Sequence, residues 1–182
     1  MAALTKWIIL LRGVNVGGNN ILKMQPFRTW LSDAGFERVS TYIQSGNVVL
    51  EARETEAAII EADVANLIEA HAGFRPQIMA LSLAALDIAI AENPYQVGEA
   101  DGKSVHFYFL AKPAPGADIA ALTALKSNSE RFTLTDKVFY LHAPDGVGRS
   151  KLAAKVERHI PTPMTGRNLR SVMKIRALAQ PD

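Results

Sequence analysis

A chain of 182 residues with 48% hydrophobic and 21% charged side chains has the composition of a globular protein, long enough for one domain or two small subdomains. The absence of cysteine excludes disulfide bonds, thiolate zinc sites and cysteine nucleophiles. The formal net charge of +2 conceals an uneven distribution, because residues 51 to 101 hold ten acidic and two basic side chains, whereas residues 149 to 176 hold eight basic and one acidic.

The first predicted element is a buried strand near the N-terminus. The run from Trp7 to Leu11 is continuously apolar and Gly13 ends it, as expected for a central strand of a sheet. The same run lies between Lys6 and Arg12 and is too short for a signal sequence or a membrane span. We therefore expect a cytoplasmic protein without a membrane partner.

A helix and a hairpin are predicted next. The helix has apolar residues at helical spacing, Pro26 suits its first turn, and Gly35 is placed to end it. Its apolar stripe consists of Phe27, Trp30, Leu31 and Ala34. Two β-favouring runs, residues 39 to 44 and 47 to 51, then flank Ser45-Gly46 and predict a tight hairpin.

A second helix and a fourth strand complete the first half. The helix is predicted from a cap at Thr55 to about Ala72, where Gly73 ends it, and a short strand follows over residues 77 to 81. The resulting order, β-α-β-β-α-β, is the split βαβ arrangement of ferredoxin-like domains. We therefore assign residues 1 to 81 to a first ferredoxin-like α+β repeat.

The second half partly repeats this pattern. Its predicted elements are, in order, a linking helix (82 to 92), a strand (105 to 110), a helix ending near Lys126, a hairpin (132 to 135 with 138 to 141) and a helix from near Ser150. An extra helix is predicted from Thr165 to about Ala179. Residues 82 to 182 thus form the linking helix and a second α+β repeat. The predicted fold class is α+β, with two tandem ferredoxin-like repeats, mainly antiparallel sheets and an extra C-terminal helix.

The loop after the first strand is the first candidate site, because Gly13 to Gly18 has the G-x-x-x-x-G spacing of a phosphate-binding loop. Glycine lets backbone N–H groups approach a ligand, and the start of the following helix favours an anion. Asn19 and Asn20 stand where lysine and serine or threonine would contact phosphate and magnesium, which disfavours nucleoside triphosphate hydrolysis. The alternative is that the glycines serve only the backbone angles of the loop. The polar side chains nearby favour a site: Arg12, Asn15, Asn19, Asn20 and Lys23.

The hairpin tip is a second candidate segment. It runs from Gln44 through Ser45 and Gly46 to Asn47. Serine, glycine and asparagine are also ordinary turn residues, so a purely structural role is the alternative. Whether this tip and the glycine loop share one edge of the sheet is left open by the sequence.

Two predicted helix starts in the second half carry cations. Ser150 is a candidate cap, and Arg149 and Lys151 lie beside the positive end of the helix dipole, which is unfavourable unless an anion binds there. The same conflict returns where Thr165 is predicted to cap the last helix with Arg167 in its first turn. These starts predict an anion-binding surface, and the alternative is solvated side chains without a ligand.

Other chemistries find little support. The four histidines are scattered and have no carboxylate partner at ligand spacing, so we expect no metal site, no histidine-based triad and no cofactor. The G-x-S-x-G motif of serine hydrolases is missing. Aromatic residues cluster on the strands of the second half, but alternate strand positions face opposite sides, so most should be core residues and not a platform for RNA bases.

The motifs together resemble a bacterial family known as domain of unknown function 1697, and the resemblance covers nearly the whole chain. The motifs that carry it are residues 11 to 18, Lys23-Met24, residues 41 to 49, residues 93 to 95, residues 148 to 151 and residues 165 to 168. The resemblance implies two ferredoxin-like α+β repeats and no established activity, cofactor or substrate. The family's last motif usually continues Arg-Asn-Trp-x-Thr, whereas here Leu169 and Ser171 occupy the last two conserved places. If that tryptophan stacks on a ligand, this protein lacks the contact.

The leading functional hypothesis is one composite site for a small phosphorylated or carboxylated molecule, with transfer or hydrolysis at the anionic group as its chemistry if it is an enzyme. Basic side chains would neutralise the anion, and backbone N–H groups and asparagines would orient it. The first repeat would contribute Arg12, Asn15, Gly17, Gly18, Lys23, Gln44, Ser45 and Asn47, and the second Ser150, Lys151, Arg167 and Asn168.

Two further hypotheses belong to other classes of function. One is a non-enzymatic nucleic-acid-binding protein that uses the basic C-terminal third, with an affinity that falls steeply with salt. The other is a structural protein whose acidic and basic segments mediate self-association.

Overall fold

The computed structural model describes residues 4 to 53 and 56 to 180. Within these ranges the chain forms a mixed α/β fold with six α-helices and two four-stranded antiparallel sheets. It divides into two compact units, which we call unit 1 (Met1–Asp87 with Lys174–Asp182) and unit 2 (Ile88–Met173). None of the helices in the described ranges is long and apolar enough to cross a membrane.

Unit 1 has the predicted order of elements. They are β1 (Thr5–Arg12), α1 (Met24–Asp33), β2 (Glu37–Tyr42), β3 (Asn47–Ala52), α2 (Ala57–Ala72) and β4 (Gln77–Ser82). The strand order is β2-β3-β1-β4, and each neighbouring pair is antiparallel. The apolar run of β1 is buried in the middle of the sheet, which confirms the prediction of a central strand.

The core of unit 1 follows from two periodicities. Alternate residues of β1 and β3 point to the same face of the sheet, and the apolar stripes of α1 and α2 cover that face. The fully buried helix residues are Phe27 and Leu31 of α1 and Ile60, Val64 and Ile68 of α2. Gly73 ends α2 in the left-handed conformation, with φ of 75°, as predicted. Thr55, the predicted cap, lies outside the described residues.

The β2–β3 hairpin is wider than predicted. Tyr42 pairs with Asn47, which leaves a loop over residues 43 to 46 instead of a two-residue turn. Ile43 and Gly46 both have positive φ, 51° and 75°. A Cβ atom at position 46 would lie 2.7 Å from the Cβ of Leu11, so glycine is required both for the backbone angle and for close packing.

Unit 2 repeats the strand order of unit 1. Its elements, together with the two helices that connect the units, are α3 (Leu83–Ala91), β5 (Val105–Leu110), α4 (Ile119–Leu125), β6 (Arg131–Leu134), β7 (Val138–His142), α5 (Lys151–His159), β8 (Met164–Asn168) and α6 (Leu169–Ala179). The order β6-β7-β5-β8 is that of the first sheet with each number raised by four, and all pairs are antiparallel.

The prediction for residues 165 to 168 was wrong, because this segment is strand β8 and not the first turn of a helix. It pairs with β5, with Thr165 opposite Phe109 and Asn168 opposite His106. The segment is short and contains Gly166, so it lacks the alternation that identifies a strand, and only its pairing with β5 reveals it. The helix begins at Leu169, and its cap is Asn168, whose Oδ1 accepts from the backbone N–H of Ser171 at 2.8 Å.

His106 is a half-buried titratable residue of the second sheet. Its Nε2 is buried and has no hydrogen-bond partner among the described residues. Burial lowers the pKa of the imidazole below its usual value, while a hydrogen bond with the backbone of Lys103 acts in the opposite direction. The folded protein therefore favours the neutral form of this side chain.

We expect Gly46→Ala to destabilise unit 1 by about 3 kcal/mol, since it adds both left-handed strain and a steric overlap. The overlap would be with the Leu11 Cβ and with the Cγ2 of Val14, 2.8 Å from the new atom. Gly73→Ala is the matched control, because its φ is the same but its Cβ would meet nothing within 4 Å. Urea unfolding measures both variants, and equal losses would contradict the steric account.

Acid should destabilise the protein through His106. Its pKa is lower in the folded state, so the unfolded state binds the proton first and stability falls as pH drops through about 6.5 and on to the folded-state pKa. His106→Gln should flatten this part of the stability curve in denaturant titrations between about pH 7 and pH 5. An unchanged slope in His106→Gln would refute the assignment.

Candidate functional site

The glycine loop of unit 1 is a closed turn. The backbone N–H of Asn19 donates to the carbonyl of Val16 at 3.0 Å. Gly17 and Gly18 between them have φ of 57° and 77°, the positive angles of a type I′ turn. The side chain of Asn20 donates to the carbonyl of Gly13 at 3.0 Å and closes the base of the loop. The geometry therefore gives the two glycines a backbone role, and their contact with a ligand stays a prediction.

Asn15 joins the glycine loop to the hairpin tip. Its Nδ2 donates to the carbonyl of Leu22 at 2.8 Å and to the carbonyl of Gln44 at 2.7 Å. Its Oδ1 accepts from the backbone N–H of Leu22 at 2.8 Å. The backbone also joins the two segments, because the N–H of Leu11 donates to the carbonyl of Gly46 at 2.8 Å. The end of β1 and the β2–β3 turn therefore lie at the same edge of the sheet, which the sequence had left open.

The other predicted residues of this edge mostly hold its structure together. Asn47 is buried, and its Nδ2 donates to the carbonyl of Tyr42 at 3.1 Å and to the hydroxyl of Ser45 at 2.9 Å. Arg12 reaches across the sheet, where its Nη1 donates to the Oε1 of Gln77 at 3.1 Å. These contacts stabilise the edge and shape the surface around it.

An open cleft of ≈ 510 Å³ lies where α1 begins. It is lined by Lys23, Met24, Gln25, Pro26, Thr29 and Gln44, and none of these six is acidic. Lys23 occupies the cap position of α1, but its side chain makes no capping hydrogen bond. It therefore does not offset the positive end of the helix dipole. The cleft combines an exposed ammonium group, side-chain amides and a helix start, which is a favourable environment for an anion.

The sequence identified Lys23 and Gln44 but missed the other lining residues. Gln25 and Thr29 lie on the first turns of α1, one helical turn apart. The signal that would have found them is the predicted position of Pro26 in the first turn, since the exposed side chains beside it must border the loop that precedes the helix.

A smaller cleft, of ≈ 380 Å³, lies at the start of α5 in unit 2. Ser150 caps this helix as predicted, with its Oγ accepting from the N–H of Ala153 at 2.9 Å. Cations from Lys126, Arg149 and Lys151 line the cleft, together with the carboxylates of Glu130 and Asp145. The Glu130 carboxylate accepts from the N–H of Ser127 at 2.8 Å, and that of Asp145 from the hydroxyl of Ser129 at 2.5 Å. These carboxylates offset the cations that line the cleft.

Arg167 and Asn168 do not lie at the predicted helix start, and their contact with a ligand stays a prediction. Because Arg167 lies on β8, it is not in the first turn of a helix. Its Nη1 donates to the hydroxyl of Thr165 at 3.1 Å and to the carbonyl of Gly166 at 2.8 Å. Burial lowers the pKa of the guanidinium to about 10, which leaves it charged at neutral pH. Asn168 caps α6, so its Oδ1 is engaged by the backbone.

The predicted site residues therefore form separate groups. The glycine loop, Lys23 and the hairpin tip meet at one edge of unit 1 through Asn15. Ser150 and Lys151 lie at the start of α5, and Arg167 and Asn168 lie on β8 of the same unit. The composite site that would include both units stays a prediction. Among the described residues, no group of three histidine, aspartate or glutamate side chains could hold a metal ion.

We expect Asn15→Asp to destabilise unit 1 by about 2 kcal/mol, because the carboxylate cannot donate to the carbonyls of Leu22 and Gln44. Aspartate tolerates the positive φ of 53° nearly as well as asparagine, so the loss would come from the hydrogen bonds. Asn19→Asp is the control, since its exposed side chain makes a hydrogen bond of 3.5 Å to Gly17 and no shorter one within the described ranges, and it should change stability by less than about 0.5 kcal/mol. Equal effects in thermal unfolding would contradict the proposed role of Asn15.

The chain is similar in structure to a conserved bacterial protein, SP0830 from Streptococcus pneumoniae, with a TM-score of 0.72 and 23% sequence identity, over 98% of this chain and 100% of that one. At this identity the likeness concerns the fold alone. No curated protein matches the chain. A family model described as a protein of unknown function, DUF1697, matches residues 4 to 140, about three quarters of the sequence. The chain therefore belongs to the DUF1697 family.

Proposed function

We propose that this protein binds a small phosphorylated or carboxylated molecule at the cleft where α1 begins. The observation that carries the proposal is the composition of this cleft, in which Lys23 stands at the start of a helix and none of the six lining residues is acidic. An anion placed there would gain from the ammonium charge and from the positive end of the helix dipole together.

The hydrogen bonds around the cleft support this proposal by fixing its wall. Asn15 holds the backbone of Gln44, a lining residue, at 2.7 Å and that of Leu22, which precedes Lys23 in sequence, at 2.8 Å. The backbone oxygen of Gln44 therefore accepts a hydrogen bond within the protein, while Gln44 itself is one of the lining residues. Such a pre-formed wall lowers the entropic cost of binding, because little of the loop needs to be ordered when the ligand arrives.

The proposed function is binding. Transfer or hydrolysis at the anionic group would follow only if a group other than the six lining side chains supplied the acid and the base. The lining side chains are one lysine, two glutamines, one threonine, one methionine and one proline. None of these six forms a nucleophile paired with a general base, which such chemistry needs. The second cleft supports an anion less well, because Glu130 and Asp145 share it with the cations.

Nucleic-acid binding is the weaker candidate. Stacking of bases on a sheet needs exposed aromatic rings on its strands. In unit 2, Phe107, Phe109, Phe139 and Tyr140 are all buried. Of the basic residues in the C-terminal third, Arg176 is paired with Asp87 at 2.6 Å. Salt-dependent retention on RNA or DNA would be the observation in its favour.

We interpret the two units as tandem ferredoxin-like repeats. The interpretation is supported by the order β-α-β-β-α-β in each unit and by the strand orders β2-β3-β1-β4 and β6-β7-β5-β8. In this arrangement a strand from the second half of each unit separates the first two strands, which is the split βαβ pattern.

The proposal is tested by thermal shift with inorganic phosphate, pyrophosphate and citrate. A ligand at about 100 times its dissociation constant adds about 2.7 kcal/mol to the free energy of unfolding. We expect Lys23→Ala to lower the affinity for any anion that gives a shift by about tenfold or more, because it removes a charge-assisted contact. Lys112→Ala, at an exposed lysine of unit 2, is the matched control.

Two results would overturn the proposal. One is that none of the three anions produces a thermal shift. The other is a shift that Lys151→Ala abolishes and Lys23→Ala leaves unchanged, which would move the anion to the start of α5.

A further inference from the structure

Three aliphatic side chains are exposed at the edge of unit 1 that Asn15 organises. Val16 and Ile21, in the glycine loop, are 64% and 57% exposed, and Ile43, in the hairpin tip, is 52% exposed. The segments meet because the carbonyls of Leu22 and Gln44, each next in sequence to one of these isoleucines, accept hydrogen bonds from the same nitrogen. We call Val16, Ile21 and Ile43 the aliphatic tip.

Ile43 is held in a conformation that its side chain disfavours. Its φ is 51°, in the left-handed region, where a β-branched residue is an outlier and asparagine or glycine would fit without strain. Its side chain is exposed and contributes little to the core. An exposed isoleucine in a strained position gains little from folding, which makes its side chain a candidate for a contact outside the molecule.

The surroundings of the aliphatic tip are cationic. All four charged residues between positions 4 and 32 are basic, and residues 38 to 50 contain one arginine and no acid, although Lys6 and Arg38 of this set pair with Glu51 at 3.6 Å and 3.4 Å. Three of these cations belong to elements of this edge: Arg12 ends β1, Lys23 precedes α1, and Arg28 on α1 donates to the hydroxyl of Thr41 at 2.6 Å. The charges therefore favour an anionic partner.

We propose that this edge of unit 1 docks on a membrane surface rich in anionic lipids, with the aliphatic tip inserted between headgroups and the cations beside the lipid phosphates. The two loops project six consecutive exposed residues, Val16 to Ile21, and three more, Ile43 to Ser45. Aliphatic insertion needs no directional contacts, and nearby lysine and arginine add electrostatic attraction. A protein partner is less well matched, since interface anchors are mostly Trp, Tyr and Arg in pockets, and the projecting residues include none of these.

Docking goes beyond the proposed binding of a small anion and departs from the expectation of no membrane partner. It is tested by sedimentation with vesicles of phosphatidylcholine containing about 30% phosphatidylglycerol, against vesicles of phosphatidylcholine alone. We expect at least about tenfold stronger partitioning onto the anionic vesicles, and a loss of that preference at high salt.

Ile43→Asn separates docking from folding. It should relieve the backbone strain and raise the melting temperature, yet lower vesicle partitioning by about tenfold, because a polar side chain replaces the inserted one. Val16→Asp should lower partitioning further. Ile119→Asp, at an aliphatic residue of unit 2 with 47% exposure, is the matched control and should bind as the wild type does. The thermal shift with phosphate should be unchanged in Ile43→Asn, so failure of docking is distinct from failure of the anion site.

Three results would overturn the proposal. They are equal partitioning onto both kinds of vesicle, equal losses in Val16→Asp and Ile119→Asp, and a concentration-dependent dimer that Ile43→Asn dissociates. The last result would assign the aliphatic tip to contact with a second copy of the chain.

Discussion

The side-chain amide of Asn15 is the interaction on which the candidate site depends. One amide group makes three hydrogen bonds, to the carbonyls of Leu22 and Gln44 and from the N–H of Leu22. It substitutes for strand pairing at a place where the sheet has ended and two loops must still be held together. The positions of the cleft at α1 and of the aliphatic tip both follow from this contact, since each includes residues from the two segments that Asn15 joins.

Close packing at Gly46 makes the same edge rigid. The Leu11 N–H donates to the carbonyl of Gly46, and a Cβ atom at this position would overlap with Leu11 and Val14. The hairpin tip thus packs closely against the end of β1, and the buried side chain of Asn47 donates to the carbonyl of Tyr42 across the turn. A loop fixed in this way presents its exposed side chains in one arrangement, which suits recognition of a partner better than a mobile loop would.

The charge pattern of the chain has a local meaning in the structure. The basic residues of the C-terminal third suggested a general anion-binding surface. In the structure, Arg176 is paired with Asp87, and Arg167 donates to Thr165 and Gly166. Near the start of α5 the carboxylates of Glu130 and Asp145 accompany the cations. The cleft at α1, by contrast, has one cation and no acid among its lining residues. The cleft with fewer basic residues is therefore the one that we propose as an anion site, because its charge is not offset by acidic lining residues.

The sequence by itself determined the elements whose periodicity is local: the central strand β1, the helices α1 and α2 with their terminating glycines, and the two hairpins. It also identified the family, through motifs spread along the chain. Only the tertiary structure decided that residues 164 to 168 form a strand, because a short segment with glycine gains its conformation from pairing with β5. The structure also decided that Asn15 joins two loops through its hydrogen bonds, and that Val16, Ile21 and Ile43 share one edge. These outcomes depend on contacts between residues distant in sequence, and hydrogen-bond partners at such distances leave no periodic signal in the chain.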